Sequence, residues 1–156
     1  MSREKINLIY DAVKKVNRAY EVWATNHGLT LYEMQIYYVI LESGNRMITQ
    51  KDLCTQLDAP KTSINSIIKK QLKTNRIEME VNPLNKREKN IVLTEEGKQF
   101  AEELILPLFK CEEFAASEIS DDNFKIAISV QNEFADNLLK TVNQKSNNEF
   151  TEVSDE

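Results

Sequence analysis

The chain has 156 residues, 41% of them hydrophobic and 29% charged, with a net charge of −5, so it is long enough to bury one sizeable core. No apolar run approaches the roughly eighteen residues of a membrane helix, and the opening MSREKINLIYD lacks the cation-then-apolar layout of a signal peptide; a cytoplasmic protein without membrane contact is expected. The single His27 and the distant Cys54 and Cys111 give no metal-ligand spacing, and no nucleophile elbow, Gly-rich phosphate loop or paired His and carboxylate occurs, so no enzyme activity, metal or cofactor is expected.

Ile6, Ile9, Tyr10, Val13, Val16, Tyr20 and Trp23 recur at helical spacing and predict an amphipathic helix over residues 3 to 26. A terminal helix with Trp and two Tyr in its stripe often completes a partner's core as well as its own. Asn26, His27 and Gly28 break it, Gly28 as a left-handed cap. Thr30 and Glu33 form a capping box ahead of LYEMQIYYVILES, which is apolar on most sides and therefore central. Gly44 and Asn45 end that helix, and residues 46 to 48 suit a brief edge strand. Thr49 caps a short helix, QKDLCTQL, with Leu53, Cys54 and Leu57 inward; Cys54 and Cys111 both read as small core residues.

Asp58 and Ala59 turn the chain into Pro60, expected at the first position of the next helix. There Ile64, Ile67, Ile68 and Leu72 face a core, while Lys61, Thr62, Ser63, Asn65, Ser66 and Lys69 crowd the other face. Short helix, tight turn and polar-tipped helix is the layout of a helix-turn-helix, whose second helix presents its N-terminal residues to base edges in a major groove. An ordinary solvated helix face has the same pattern. What favours DNA is charge: from Ala59 to Arg76 there is no Asp or Glu. Residues 49 to 93 hold nine Lys or Arg against five acids, leaving −9 for the remainder, and a basic patch on an acidic body is a footprint for phosphate.

Asn75 supplies a left-handed helix end. Ile77, Met79 and Val81 then alternate with charged residues as a half-buried strand, NPLNKREKN forms a cationic tip, and IVL returns, giving a β-hairpin that suits a wing or a plain surface hairpin. Thr94, Glu95 and Glu96 open a further helix, in which Gly97 costs stability unless a close contact needs its missing side chain. Pro107 is expected to kink it. A last helix, 121 to 143, is expected to bury Phe124, Ile128, Phe134, Leu138, Leu139 and Val142, and the acidic tail 144 to 156 to be disordered.

The succession of helices, helix-turn-helix, wing and IVLTEEGKQF resembles the MarR family of bacterial winged helix-turn-helix transcriptional regulators over roughly residues 5 to 143. The resemblance implies a mainly α fold with a small β-hairpin wing: an N-terminal dimerisation helix (1 to 28), a winged helix-turn-helix (29 to 98) and C-terminal dimerisation helices (99 to 143). It implies a homodimer held by Ile6, Ile9, Val13, Trp23, Phe124, Ile128, Phe134 and Leu138, and base or phosphate contacts from Lys61, Thr62, Ser63, Asn65, Ser66, Lys69, Lys86, Arg87 and Lys89. In the wing, Asn82 and Asn85 stand where the family has acids and Leu84 where it has the tip Arg, while Arg87 matches; this wing reads the minor groove or only touches phosphate. The cysteine of the family's peroxide sensors and the ligand clusters of its zinc sensors are missing.

The expected function is a DNA-binding transcriptional regulator, a repressor released from a pseudo-palindromic operator by a small aromatic or apolar effector. Tyr10, Tyr20, Trp23, Tyr37, Tyr38 and Phe109 are candidate pocket walls, or simply core aromatics. The alternative is a winged-helix module for protein–protein interaction, which would show no salt-dependent binding to duplex DNA.

Overall fold

The computed structural model describes residues 2–44, 47–83 and 85–152. In chain order the elements are α1 (Ser2–Asn26), α2 (Leu31–Glu42), β1 (Ile48–Thr49), α3 (Gln50–Gln56), α4 (Lys61–Lys73), β2 (Ile77–Val81), β3 (Lys89–Leu93), α5 (Glu95–Ser117) and α6 (Asp121–Glu152). The chain divides into two compact units, Met1–Lys110 and Cys111–Glu156.

In the first unit α2 is apolar on both sides because it serves two cores. Ile36, Val39 and Ile40 pack with Ile48, Leu53, Ile64, Ile68, Ile77 and Ile91 of the helix-turn-helix and sheet. Met34 and Tyr37 pack instead with Ala24 of α1 and Ala101, Leu104, Ile105 and Leu108 of α5. Burial of each such Ile or Leu side chain contributes about 1.5–3 kcal/mol. The capping box of Thr30 and Glu33 is formed, and Thr49 and Asp52 make a second one at α3. His27 follows the end of α1, where its Nδ1 lies 2.8 Å from the Trp23 carbonyl and its ring leans against the indole, centroids 4.7 Å apart and planes tilted by 36°. Trp23 Nε1 donates to the Leu104 carbonyl at 3.1 Å, tying α1 to α5.

The wing strands belong to a three-stranded antiparallel sheet ordered β1-β3-β2. Of the edge strand expected over residues 46 to 48 only Ile48 takes part, since β1 is Ile48–Thr49 and residue 46 lies outside the described residues; Ile48 stands opposite Ile91, while Met79 faces Ile91 from the other side. Asn90 is buried beside these, its amide nitrogen donating to Met47 Sδ at 3.1 Å. Gly97 occupies the first turn of α5 under Arg76: a Cβ there would sit 1.7 Å from the Arg76 carbonyl oxygen. Thr94 secures the same junction, its hydroxyl donating to Asn75 O at 2.6 Å and accepting from Gly97 N at 3.0 Å. The contact expected of Gly97 is thus made by backbone.

Several expectations need correction. Leu72 is 37% exposed and Gln71 takes its place inside, because Ile64, Ile68 and Gln71 follow the i, i+4, i+7 line of the helix whereas Leu72 lies a further 100° round. Pro60 is the N-cap of α4, not its first residue; its carbonyl accepts from Ser63 N and Ile64 N. Cys54 is half-buried but Cys111 is exposed.

In the second unit α6 runs to Glu152, past the expected boundary at 143 and through the start of the tail expected to be disordered. Extending an existing helix avoids the nucleation cost, and Gln144, Lys145 and Glu149 are good helix formers. Residues 153–156 lie outside the described residues. Phe124, Ile128, Leu138, Leu139 and Val142, expected to be buried, are 44–62% exposed and Phe134 is half-buried. A single helix has no facing layer of its own, so an apolar stripe on it needs another surface to cover it. No helix among the described residues is long and apolar enough to cross a membrane.

Candidate nucleic-acid interface

The helix-turn-helix is built on backbone geometry at both ends of α4. Asp58 adopts φ 45° in the turn, the position where such motifs commonly place Gly, and Asn75 adopts φ 57° after α4. Asp and Asn are the residues other than Gly that visit this region most readily. Ala59 N donates to Cys54 O and Arg76 N to Gln71 O, each at 3.1 Å, closing the two ends.

Between them Ile64 and Ile68 are buried, and Lys61, Thr62, Ser66 and Lys69 are exposed; Ser63 and Asn65 are half-exposed. The first turn carries no acid and no side-chain cap. Its free N–H groups therefore add the positive end of the helix dipole to Lys61.

The wing tip is folded tightly on itself. Asn82 N donates to Glu88 O at 3.1 Å, Glu88 N to Asn85 O at 2.9 Å, and Arg87 N to Asn85 Oδ1 at 3.2 Å. Backbone bonds and the Asn85 side chain thus hold the turn, and Lys86, Arg87 and Lys89 are exposed around it. Leu84 lies outside the described residues.

Three of the nine predicted contact residues come together. Lys61 from α4 and Arg87 and Lys89 from the wing line one cleft of about 540 Å³, with Lys51 of α3, Cys54 and Glu88. Thr62, Ser63, Asn65, Ser66, Lys69 and Lys86 are not among its lining residues. Lys51 was not predicted, because it belongs to neither α4 nor the wing; its position two residues after the Thr49 cap was the available signal.

Of the predicted pocket aromatics, Tyr37 lies in the α1–α2–α5 core and Tyr20, Trp23, Tyr38 and Phe109 pack against it. Tyr20 and Tyr38 line a cavity of about 290 Å³ with Gln35, whose Oε1 is buried without a partner among the described residues. Phe109 packs edge-on against Tyr38, with centroids 4.9 Å apart. Tyr37 is wholly buried, Trp23 half-buried, and Tyr10 is 46% exposed.

A polar group that the sequence did not announce lies behind α4. Glu33, 3% exposed, accepts from Lys70 Nζ, and Tyr37 Oη donates to Gln71 Oε1 at 2.5 Å. Burial raises the Glu33 pKa, but hydrogen bonds from Lys70 and Thr30 outweigh it and hold the carboxyl below its ordinary value. Burial pushes the Tyr37 phenol up, partly offset by the Arg76 guanidinium, which itself stacks 3.6 Å from the Phe100 ring centre.

No protein-family model and no curated protein matches the chain. Solved structures do. NMB1585, a MarR family regulator from Neisseria meningitidis, superposes with a TM-score of 0.74 at 16% identity, covering 90% of this chain and 98% of that one. The Staphylococcus aureus MepR–DNA complex gives 0.69 at 14% identity, covering 84% and 94%. S. aureus MarR in complex with salicylate and kanamycin gives 0.65 at 21% identity, covering 89% and 93%. The fold is therefore the MarR-type winged helix, with six helices and a small three-stranded sheet among the described residues.

Proposed function

We propose that this chain, with its MarR-type winged-helix fold, is a homodimeric DNA-binding transcriptional regulator that represses from a pseudo-palindromic operator. One observation carries the reading: Lys61, at the uncapped and acid-free start of α4, shares a cleft with Arg87 and Lys89 of the wing, in a chain whose net charge is −5. Cations gathered this way on an acidic body suit a phosphate backbone, and the exposed polar face of α4 beside them suits base edges. The proposed contacts are Lys61, Thr62, Ser63, Asn65, Ser66 and Lys69 in the major groove, and Lys86, Arg87 and Lys89 on phosphate or the minor groove.

Residues 29 to 98 act as the DNA-binding part, and 1 to 28 with 99 to 143 as the dimerising part. The apolar stripes left exposed on α1 and α6 support this, since Tyr10, Val13, Val16, Phe124, Ile128 and Leu138 are each at least 40% exposed in a single copy. A two-fold axis then sets two copies of α4 about 10 bp apart on one duplex.

Release follows when a small aromatic or apolar molecule binds the non-operator arrangement of the dimer more tightly. The cavity of Tyr20, Tyr38 and Gln35 supports such a ligand, and S. aureus MarR, solved with salicylate, offers a precedent for a small aromatic one.

The deciding experiment is duplex DNA binding as a function of salt. The regulator loses affinity steeply, with a log–log slope set by the number of phosphates contacted. Absence of salt-dependent binding would favour the protein-interaction module instead.

A further inference from the structure

Two consecutive residues near the C-terminal end of α4 are anchored by side chains of α2. Lys70 Nζ bonds Glu33 Oε1, and Tyr37 Oη donates to Gln71 Oε1. Glu33 and Tyr37 are one helical turn apart on α2 and are 3% and 0% exposed. The other oxygen of Glu33 accepts from Thr30 N at 2.9 Å and Thr30 Oγ1 at 3.0 Å, so the same carboxylate also holds the start of α2. Lys70 keeps 62% of its side chain exposed against 4% for Glu33, so the pair sits at the edge of the core, a buried carboxylate answered by a cation from the surface.

The apolar contacts of Ile64 and Ile68 hold α4 against the core but carry little direction, because hydrophobic burial is non-directional. Hydrogen bonds are directional. Lys70 and Gln71 project about 100° apart around the helix axis, so bonds at both fix the rotation of α4, which a single bond would leave free to swivel. With side chains about 5 Å from the axis, a turn of about 15° moves a tip by about 1 Å. That is enough to spoil base contacts, which tolerate about 0.5 Å.

We propose that Glu33 and Tyr37 are positioning residues for DNA reading: through Lys70 and Gln71 they set the rotation of α4 about its axis, and so the aim of Ser63, Asn65 and Ser66. The inference rests on the DNA-binding function proposed above. The competing role for Lys70 is a plain phosphate contact.

The test uses the full-length chain and a duplex selected from a random library by the unaltered protein, alongside unselected duplex. Glu33→Gln keeps an oxygen to accept from Thr30 while removing the charge that Lys70 answers. Glu33→Gln and Lys70→Met are each expected to lower the ratio of selected to unselected affinity about tenfold, the scale of removing one hydrogen bond to a charged group. The double variant should lose no more than either single one, since both break the same pair. Lys70→Arg should retain the ratio, and Glu33→Gln should leave the salt slope unchanged.

If Glu33→Gln keeps the ratio while Lys70→Met weakens both duplexes equally and flattens the salt slope by about one, Lys70 is a phosphate contact and the proposal is overturned. Amide hydrogen exchange without DNA separates this from failure of the functional reading. Faster exchange over residues 69 to 73 in Glu33→Gln and Tyr37→Phe shows that α2 anchors α4 even if no duplex binds, whereas unchanged exchange removes the anchor. No duplex binding by the unaltered chain would overturn the DNA role itself.

Discussion

The carbonyl oxygen of Arg76 stands 1.7 Å from the point where a Cβ on Gly97 would lie, and the same oxygen accepts from Thr94 N at 3.2 Å. The residue before β2 and the first turn of α5 are therefore in backbone contact, with no flexible side chain to yield. Gly97→Ala is expected to destabilise the fold by about 1–3 kcal/mol, as overpacking does. Denaturant unfolding followed by circular dichroism checks this; an unchanged midpoint would mean that α5 can shift away at no cost.

Tyr37→Phe leaves ring packing intact but removes the donor to Gln71, itself 2% exposed. Leaving the buried amide short of a partner should cost about 1–3 kcal/mol. The Thr74 hydroxyl, 3.4 Å from the same Oε1, should keep the loss toward the lower end. A lower urea midpoint with an unchanged m-value is the expected signature.

The depressed pKa of Glu33 makes a signed prediction about acid. Because the folded value lies below the ordinary 4.5, the contribution is fully present above that value and is lost as pH falls through the lower folded one. The stability difference between the unaltered chain and Glu33→Gln should therefore be flat from about pH 6 to 8 and close in acid. A difference that grew on acidification would contradict the assignment.

On the proposed function, Ser63→Ala with Asn65→Ala should reduce discrimination between selected and random duplexes by about 1–3 kcal/mol for each bidentate bond to a base that is removed. Lys86→Ala with Arg87→Ala should weaken both duplexes alike and make the salt slope shallower by up to about two. Fluorescence anisotropy at several salt concentrations separates the two patterns.

Ile128→Glu or Leu138→Glu places a charge in the exposed apolar stripe of α6. On the proposed homodimer, sedimentation should shift from dimer to single subunit while the thermal transition of the helix-turn-helix persists. A dimer that survives both changes would move the interface elsewhere.

Local chemistry made much of this fold readable in advance. Thr30 with Glu33 announces a helix start because the capping box needs only residues three apart, and Asn75 announces its left-handed end for a similarly local reason. Gly97 signalled a close approach without naming its partner. What stayed hidden was pairing across distance: Lys70 meets Glu33 from 37 residues away, and the helical period that turns Gln71 inward with Ile64 and Ile68 does not name Tyr37 as its partner. The stripe on α6 was readable as apolar, but what covers Phe124, Ile128, Leu138, Leu139 and Val142 was not, and they stay exposed. In the candidate interface, charge and order along the chain indicated Lys61, Arg87 and Lys89, whereas their meeting with Lys51 depends on how the sheet folds back beside α3.

Asp58 and Asn75 bracket α4 with two left-handed turns, so its length is dictated from beyond its own outward face. On the proposed function, the outward positions between them are at liberty to vary. A descendant of this chain could acquire a new operator preference through substitutions at Lys61, Ser63, Asn65 and Ser66 while inheriting its scaffold unaltered.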